Sequence, residues 1–317
     1  MSSVSSRQLT AAGIIDPKLR LSYETCRKLN AAHGKTYYLA TLLLPPHKRP
    51  FVHALYGFAR YADDIVDSMD DQPVASRGAA LDRLADRFFT DLARGHSQDM
   101  VCAAVIDTAL RWNIKTEYFE AFITSMKMDL TVDHYDTFAD LNTYIYGSAA
   151  VIGLQMVPIL EPTNDAAYGY AQDLGVAFQL ANFIRDVAED LDRGRIYLPL
   201  DELADFGVTP DDLRARVLTL QLRDALAFQV QRVRDLAEKS RPGVALLAPE
   251  SRPCIDTARI LYCGIADEVA ANNYDVFSVR ATVPMRKRLA IAAPAWAKAR
   301  RASRGRALHT GAAPGNP

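Results

Sequence analysis

Two short stretches carry the residue types that could hold a metal ion and a phosphate. The first is Arg60-Tyr61-Ala62-Asp63-Asp64-Ile65-Val66-Asp67. Asp63 and Asp67 are four positions apart, so on a helix they share one face, with roughly 5–6 Å between Cβ atoms. Like charges at that spacing destabilise a helix. The bulky neighbours Ile65 and Val66 predict that this helix is substantially buried, and enclosed carboxylates need a partner. A hard divalent cation with oxygen ligands is the natural one.

The second stretch is Gln179-Leu180-Ala181-Asn182-Phe183-Ile184-Arg185-Asp186-Val187-Ala188-Glu189-Asp190. Asn182, Asp186 and Asp190 recur every four residues and predict one oxygen-rich stripe. Gln179 and Glu189 flank it, and Leu180, Phe183, Ile184, Val187 and Leu191 form an apolar opposite face. Arg193 and Arg195 follow and add two cations. Either stretch alone is a common surface pattern. Two of them on apolar helices, each with an arginine (Arg60, Arg185), suit Mg²⁺ bridging to a diphosphate, because Mg²⁺ is usually held by one or two carboxylates plus substrate phosphates. The arginines would take the remaining phosphate oxygens. No P-loop, dinucleotide-binding glycine motif, nucleophile elbow or zinc-type histidine pair competes with this reading.

The elements that must position these residues are helical. Asp16-Pro17 is a helix start, and helices are predicted over Leu19–Ala32, from Lys35 to Pro45-Pro46, and over Lys48–Met69. Further helices are expected over 75–94, 100–112, 117–131, 138–160 (one long helix), 166–191, 209–239, 254–274 and 285–301, with Arg241-Pro242-Gly243 as a breaker. Period-two alternation, a βαβ rhythm and internal repeats are missing, which predicts an all-α chain with one domain over 1–301. Ala302 to Pro317 reads as a disordered basic tail.

Bulk composition narrows the class. The net charge of −1 gives no reason to expect a nucleic-acid partner. Four scattered cysteines without metal-ligand spacing point to a reducing cytoplasm. The apolar run Ile145–Leu160, interrupted by glycine and proline, is too short to span a bilayer. No acidic residue follows Asp275, whereas nine arginines and lysines do, from Arg280 to Arg306. With Leu289, Ile291 and Trp296 they could face anionic lipid, or the segment could simply pack on the bundle with a solvated basic edge.

At Tyr56–Asp67 and Gln179–Asp190, continued by Gly194–Pro199, the chain resembles the squalene/phytoene synthase family, nearest its bacterial, actinobacterial-type phytoene synthases. The resemblance covers about Ser22 to Leu289. It implies a single isoprenoid synthase-type helical bundle around a deep central cavity, the two motifs facing each other at its mouth. It implies head-to-head condensation of two geranylgeranyl diphosphates to phytoene through a cyclopropyl diphosphate, in carotenoid biosynthesis. It also implies Mg²⁺ (or Mn²⁺) as cofactor, with no NADPH.

By the same resemblance Asp63, Asp64, Asp67, Asn182, Asp186 and Asp190 bind metal, and Arg60, Gln179 and Arg185 contact diphosphate or position ligands. His33-Gly34-Lys35-Thr36-Tyr37 resembles a short family motif beside a diphosphate site, with Gly34 and Thr36 in place of its usual serines. Tyr56, Tyr144, Tyr146 and Tyr262 match cavity tyrosines, whose rings stabilise a carbocation without trapping it. The small residues Ala149, Ala150, Gly153 and Ala177 would leave room for prenyl tails or simply allow close helix packing. The same-chemistry rival uses C15 substrates to make squalene, dehydrosqualene or hydroxysqualene. A prenyl elongase, a terpene cyclase and a non-catalytic scaffold on the same fold are more distant readings. Lipid substrate and product imply peripheral contact with the inner face of the cell membrane and handover to a phytoene desaturase.

Overall fold

The computed structural model describes residues 3–67 and 73–310. Among them are sixteen α-helices, one π-helical turn and no β-strand beyond two isolated bridges. The first half comprises α1 (Ser3–Ala11), α2 (Pro17–His33), α3 (Lys35–Thr41), α4 (Arg49–Asp67), α5 (Val74–Arg94), α6 (Met100–Arg111) and α7 (Thr116–Met128). Then come α8 (Phe138–Ile145), the π-turn Tyr146–Ala150, α9 (Val151–Ile159), α10 (Ala166–Arg185) and α11 (Val187–Asp192). The last are α12 (Leu200–Asp205), α13 (Pro210–Arg214), α14 (Leu220–Ala245), α15 (Arg252–Ala271) and α16 (Met285–Thr310).

Local chemistry sets many of these boundaries. The Asp16 carboxylate accepts from Leu19 N ahead of Pro17, and Asp99 accepts from Val101 N and Cys102 N. Thr137 with Asp140, and Thr209 with Asp212, form reciprocal capping boxes. Helices α2, α4, α6, α7 and α9 bury one hydrophobic cluster, and α8, α10, α14 and α15 bury another. Phe178 and Ile255 touch both clusters and also line the central cavity, which therefore lies at their seam.

Several expected elements differ in detail. The helix expected from 166 to 191 bends at Asp186 (φ −101°, ψ 12°), whose carboxylate is held by arginines. The helix expected from 209 is two helices, because Arg216 adopts a left-handed φ of 53° and Thr219 caps a new start. Pro242 does not end α14. It removes the N–H that would bond the Glu238 carbonyl, yet the helix runs on to Ala245, and Gly243 lets it pack on Tyr170, whose Cβ would lie 2.3 Å from any added Cβ. The long helix expected over 138–160 carries the π-turn at its centre. Two short helices, α1 and α12, were not expected. Helix α16 continues past Arg301 to Thr310, through part of the segment expected as a tail. Residues 311–317 lie outside the described residues.

The π-turn is locked by a close approach. A Cβ on Gly147 would sit 2.2 Å from Ala121 O in α7. Gly169, on the exposed side of α10, would meet nothing within 4 Å. Gly147→Ala should therefore lower stability by about 1–3 kcal/mol through overpacking. Gly169→Ala should raise it by about 0.5–1 kcal/mol through helix propensity. Denaturant unfolding of both variants checks the pair; equal effects would contradict the packing at Gly147.

Candidate active site

Helix α4 buries Phe51, Leu55, Phe58, Ala62 and Val66, which turns Arg60, Asp63, Asp64 and Asp67 toward the mouth of the bundle. Arg60 reaches Asp64 at 2.5 Å and Asp63 at 3.4 Å. Asp63 keeps 45% of its side chain accessible from the crevice, yet its enclosure, with Asp67 nearby, pushes its pKa up to about 7. The second motif faces it. Arg193, just beyond α11, bonds Asp67 at 3.1 Å, and Arg195 approaches it at 3.9 Å. These contacts join positions 126 residues apart and bring the two carboxylate stretches to one site.

The bend at Asp186 reshapes the predicted stripe. Arg185 grips the Asp186 carboxylate with two donors, one of them at 2.7 Å, and Arg280 adds a bond at 2.8 Å. Arg280 also pairs with Glu189 at 2.9 Å. Burial pushes the Asp186 carboxyl up, but these two arginines outweigh it and leave its pKa lowered. Asp190 lacks that relief: burial, then the Asp186 charge, raise it to about 7. Gln179 accepts from Asn182 at 3.5 Å and also lines the cavity.

Behind the mouth, that cavity has about 830 Å³ of space outside protein atoms, its opening included. Gln179, Phe178, Gly175, Leu174, Ala171, Tyr170 and Ala167 line it from α10. Twelve residues separate Ala167 from Gln179, which is about 18 Å of helix. Helix α9 and the π-turn form a second wall from Ser148 to Leu160. Ser148 Oγ is buried there without a partner. Of the four small residues expected there, Ala149 and Gly153 line the cavity, whereas Ala150 and Ala177 are buried in the core beside it and serve packing. Gly175 also lines it and packs tightly on Ala149.

The predicted tyrosines separate into three places. Tyr262 stacks on Tyr37 (4.5 Å between centroids) and Phe178 (4.7 Å), and Tyr56 lies 6.1 Å from Tyr37. A Cβ at Gly34 would fall 2.7 Å from the Tyr56 ring, so glycine there lets Tyr56 close on α3. Tyr144 belongs to a second aromatic group with Tyr135, Phe183 and Tyr197. Tyr146 is 37% exposed. None of these four tyrosines lines the cavity itself; Tyr37 does, with Tyr262 and Tyr56 packed behind it. Thr36 lines a side pocket of about 360 Å³ with Arg185, Tyr262 and Arg288, while His33 is exposed at the end of α2.

Sequence reasoning missed Asp129, because only the fold joins it to the second motif; in sequence it sits with Asp133 and Asp136 in a short acidic stretch after α7. It accepts from Tyr144 at 2.8 Å and Tyr197 at 3.0 Å, and its carbonyl takes Arg195 at 2.6 Å. Arg280 was missed as a site residue for the same reason: only folding brings it to Asp186. Among the described residues, no three His, Cys, Asp or Glu side chains already converge as a metal site. The donor set nevertheless fits Mg²⁺. It is all oxygen, and Asp63 and Asp190 are crowded carboxylates that a cation would relieve.

Asp129 offers a sign test. Burial, only partly offset by Arg195 and the tyrosine hydrogen bonds, raises its pKa to about 6, against roughly 3.9 for an ordinary Asp. The folded protein thus binds more protons between about pH 4 and pH 6, and this group's contribution to stability falls as pH rises through that window. Asn cannot ionise. In EDTA, the stability of Asp129→Asn relative to wild type should rise by about 1–2 kcal/mol from pH 4 to pH 7. Denaturant midpoints at the two pH values test it; a constant difference would mean Asp129 titrates alike in the folded and unfolded chain.

The squalene/phytoene synthase family model matches residues 30–287. The chain is 38% identical to the phytoene synthase of Arthrospira platensis over 283 residues, covering 84% of this chain and 90% of that protein. It is 37% identical to phytoene synthase 1, chloroplastic, of Arabidopsis thaliana, covering 87% of this chain and 66% of the plant protein. A dehydrosqualene synthase structure superposes with TM-score 0.81 at 26% identity, covering 89% of this chain and 98% of that one. Squalene synthase HpnC from Alicyclobacillus acidocaldarius gives TM-score 0.76 at 29% identity, with 84% and 99% covered. The phytoene synthases matched here come from plants and cyanobacteria, so the expected nearness to an actinobacterial type reduces to the family itself. Facing carboxylate motifs, an apolar cavity behind them and a match over most of the chain together make this protein a member of the squalene/phytoene synthase family.

Proposed function

We propose that the protein joins two geranylgeranyl diphosphates head to head, through a cyclopropyl diphosphate, to give phytoene for carotenoid biosynthesis. The observation that carries this is the apolar cavity, about 18 Å deep along α10, that opens beside two facing carboxylate motifs. The phytoene synthases among its relatives support the same reading.

Asp63, Asp64 and Asp67 on one side, with Asn182, Asp186 and Asp190 on the other, would hold Mg²⁺, or Mn²⁺ in its place. When bound, the ion supplies Lewis-acid neutralisation of the diphosphate leaving group. Arg60, Arg185, Arg193 and Arg280 already sit against the carboxylates and can turn their donors to phosphate oxygens. Tyr37 and Phe178 line the cavity end nearest these charges, where their rings would stabilise an allylic cation, and Tyr262 packs behind both. The walls of α9 and α10 keep water from it, so the cation is not quenched to an alcohol. The Tyr144 hydroxyl hydrogen is held on Asp129, which orients that phenol beside the second motif.

Purified protein with Mg²⁺ and geranylgeranyl diphosphate should form C40 phytoene without NADPH, identified by mass spectrometry. Asp63→Asn and Asp186→Asn should each abolish product while leaving helical circular dichroism intact. A C30 product from farnesyl diphosphate would move the assignment to the squalene branch. Activity in both variants would refute the ligand assignment.

The proposal extends to where the enzyme works: in the cytoplasm, against the membrane, passing phytoene to a desaturase. No described helix is long and apolar enough to cross a membrane. On α16, however, Met285 (60% exposed), Leu289 (61%) and Trp296 (49%) fall within a sector of about 40°. Ile291, expected on that face, instead packs against the bundle. Arg300, which lies over the Trp296 ring, and Arg286 follow along one edge of the stripe, an arrangement suited to an anionic bilayer surface. Flotation with anionic vesicles should carry wild-type protein upward, and Leu289→Asp with Trp296→Asp should abolish it. Equal flotation would exclude this face.

A further inference from the structure

The far end of the cavity is closed by Leu160 and Leu247, among others. Their segments pair with each other. Ala248 N donates to Leu160 O (3.2 Å) and to Glu161 O (2.9 Å), and Thr163 N donates to Leu246 O (2.7 Å). Pro162 and Leu247 form an isolated antiparallel bridge. Glu161 holds a left-handed φ of 54°, unusual for a non-glycine residue and needing support from its surroundings.

That support comes from Lys48, in the loop between α3 and α4. Its side chain is 0% exposed. The ammonium lies 2.7 Å from Glu161, 3.0 Å from Ser251 Oγ and 4.0 Å from Glu250. A lysine out of contact with water is tolerated only when paired and hydrogen-bonded. Here its partners sit next to the two floor residues: Glu161 follows Leu160, and Glu250 and Ser251 follow Leu247 by one turn. One cation thus ties three separate chain segments directly behind the floor.

The walls do not offer the same adjustability. Gly153 and Gly175 meet Ala171 and Ala149 backbone so closely that an added Cβ would lie 2.7–2.8 Å from a carbonyl oxygen. Cavity width is fixed by backbone against backbone, whereas cavity depth is fixed by where two leucine side chains are held. We propose that the Lys48 clasp fixes Leu160 and Leu247 and thereby sets the longest prenyl tail the cavity accepts, which makes Lys48 a positioning residue for substrate length. The inference rests on the prenyl diphosphate reading of the site.

Binding of unreactive prenyl S-thiolodiphosphates with Mg²⁺ tests it without turnover. Affinities for C15, C20 and C25 analogues are compared in wild type, in Lys48→Met combined with Glu250→Gln, and in the milder Glu161→Gln. Both variants should improve the C25 to C20 affinity ratio by at least about tenfold, the scale of a few methylenes gained or lost in an apolar pocket. Leu247→Ala, with the clasp intact, should move the same ratio the same way. An unchanged ratio in the variants overturns the clasp. Where the double variant does not fold, Glu161→Gln decides by the same criterion. A wild-type protein that binds none of the three analogues overturns the functional reading and this inference with it, whereas wild-type binding with unaltered variants overturns this inference alone.

Discussion

Crowded carboxylates at one end of an apolar bundle are the constraint around which the rest of the structure is arranged. Asp63, Asp67, Asp129, Asp186 and Asp190 come from three chain segments, and burial raises Asp63, Asp129 and Asp190 well above the ordinary range. A site of that kind is tolerable without a ligand only if cations reach it. Arg60, Arg185, Arg193, Arg195 and Arg280 do so, from helices and loops far apart in sequence. Asp186 shows the balance most directly: the same burial that raises its neighbours is outweighed by two guanidinium groups. The same arginines are the donors a diphosphate would need, so ligand-free stability and ligand recognition draw on one set of side chains.

The cavity depends on the opposite chemistry. Its walls must be apolar and close, yet leave space between them. The π-turn and the glycines meet that demand. Gly147 brings the turn against Ala121 O, and Gly175 brings α10 against Ala149 O, so the backbones meet at the edges of the cavity instead of side chains filling it. The π-turn also directs Ser148 and Ala149 into the cavity wall, where a regular helix would shift the phase of everything after it. Polar groups inside are few, and none of the lining side chains is charged.

Much of this was legible in the sequence for identifiable reasons. Helix starts at Asp16-Pro17 and Thr209-Pro210 are local hydrogen-bonding devices, and they appear where expected. The carboxylate motifs are also local, each within a dozen residues, so spacing alone predicted a shared face. What was not legible is long-range or energetically competitive. The bend at Asp186 follows from Arg280, 94 residues away. Asp129 gains its meaning from Tyr144 and Tyr197, which only the fold brings together. Pro242 reads as a breaker from its own chemistry, but packing of α14 against α10 and α15 carries the helix past it. Tyr146 matched a motif position, yet the π-turn leaves it partly in solvent.

Gly34 shows how a departure from a family pattern can be a structural solution. A serine there would place its Cβ 2.6 Å from Asn30 Oδ1 and 2.7 Å from the Tyr56 ring. Asn30 is fully buried, with its amide nitrogen on His53 and its oxygen without a partner. It has little freedom to withdraw. Tyr56 in turn stands 6.1 Å from Tyr37, which stacks on Tyr262 at the cavity end nearest the charges. Losing the hydroxyl at position 34 therefore allows a tighter aromatic array, while Thr36 keeps a hydroxyl beside Arg185. Glycine at position 34 thus gives up a side-chain hydroxyl for closer packing of the Tyr56, Tyr37 and Tyr262 rings.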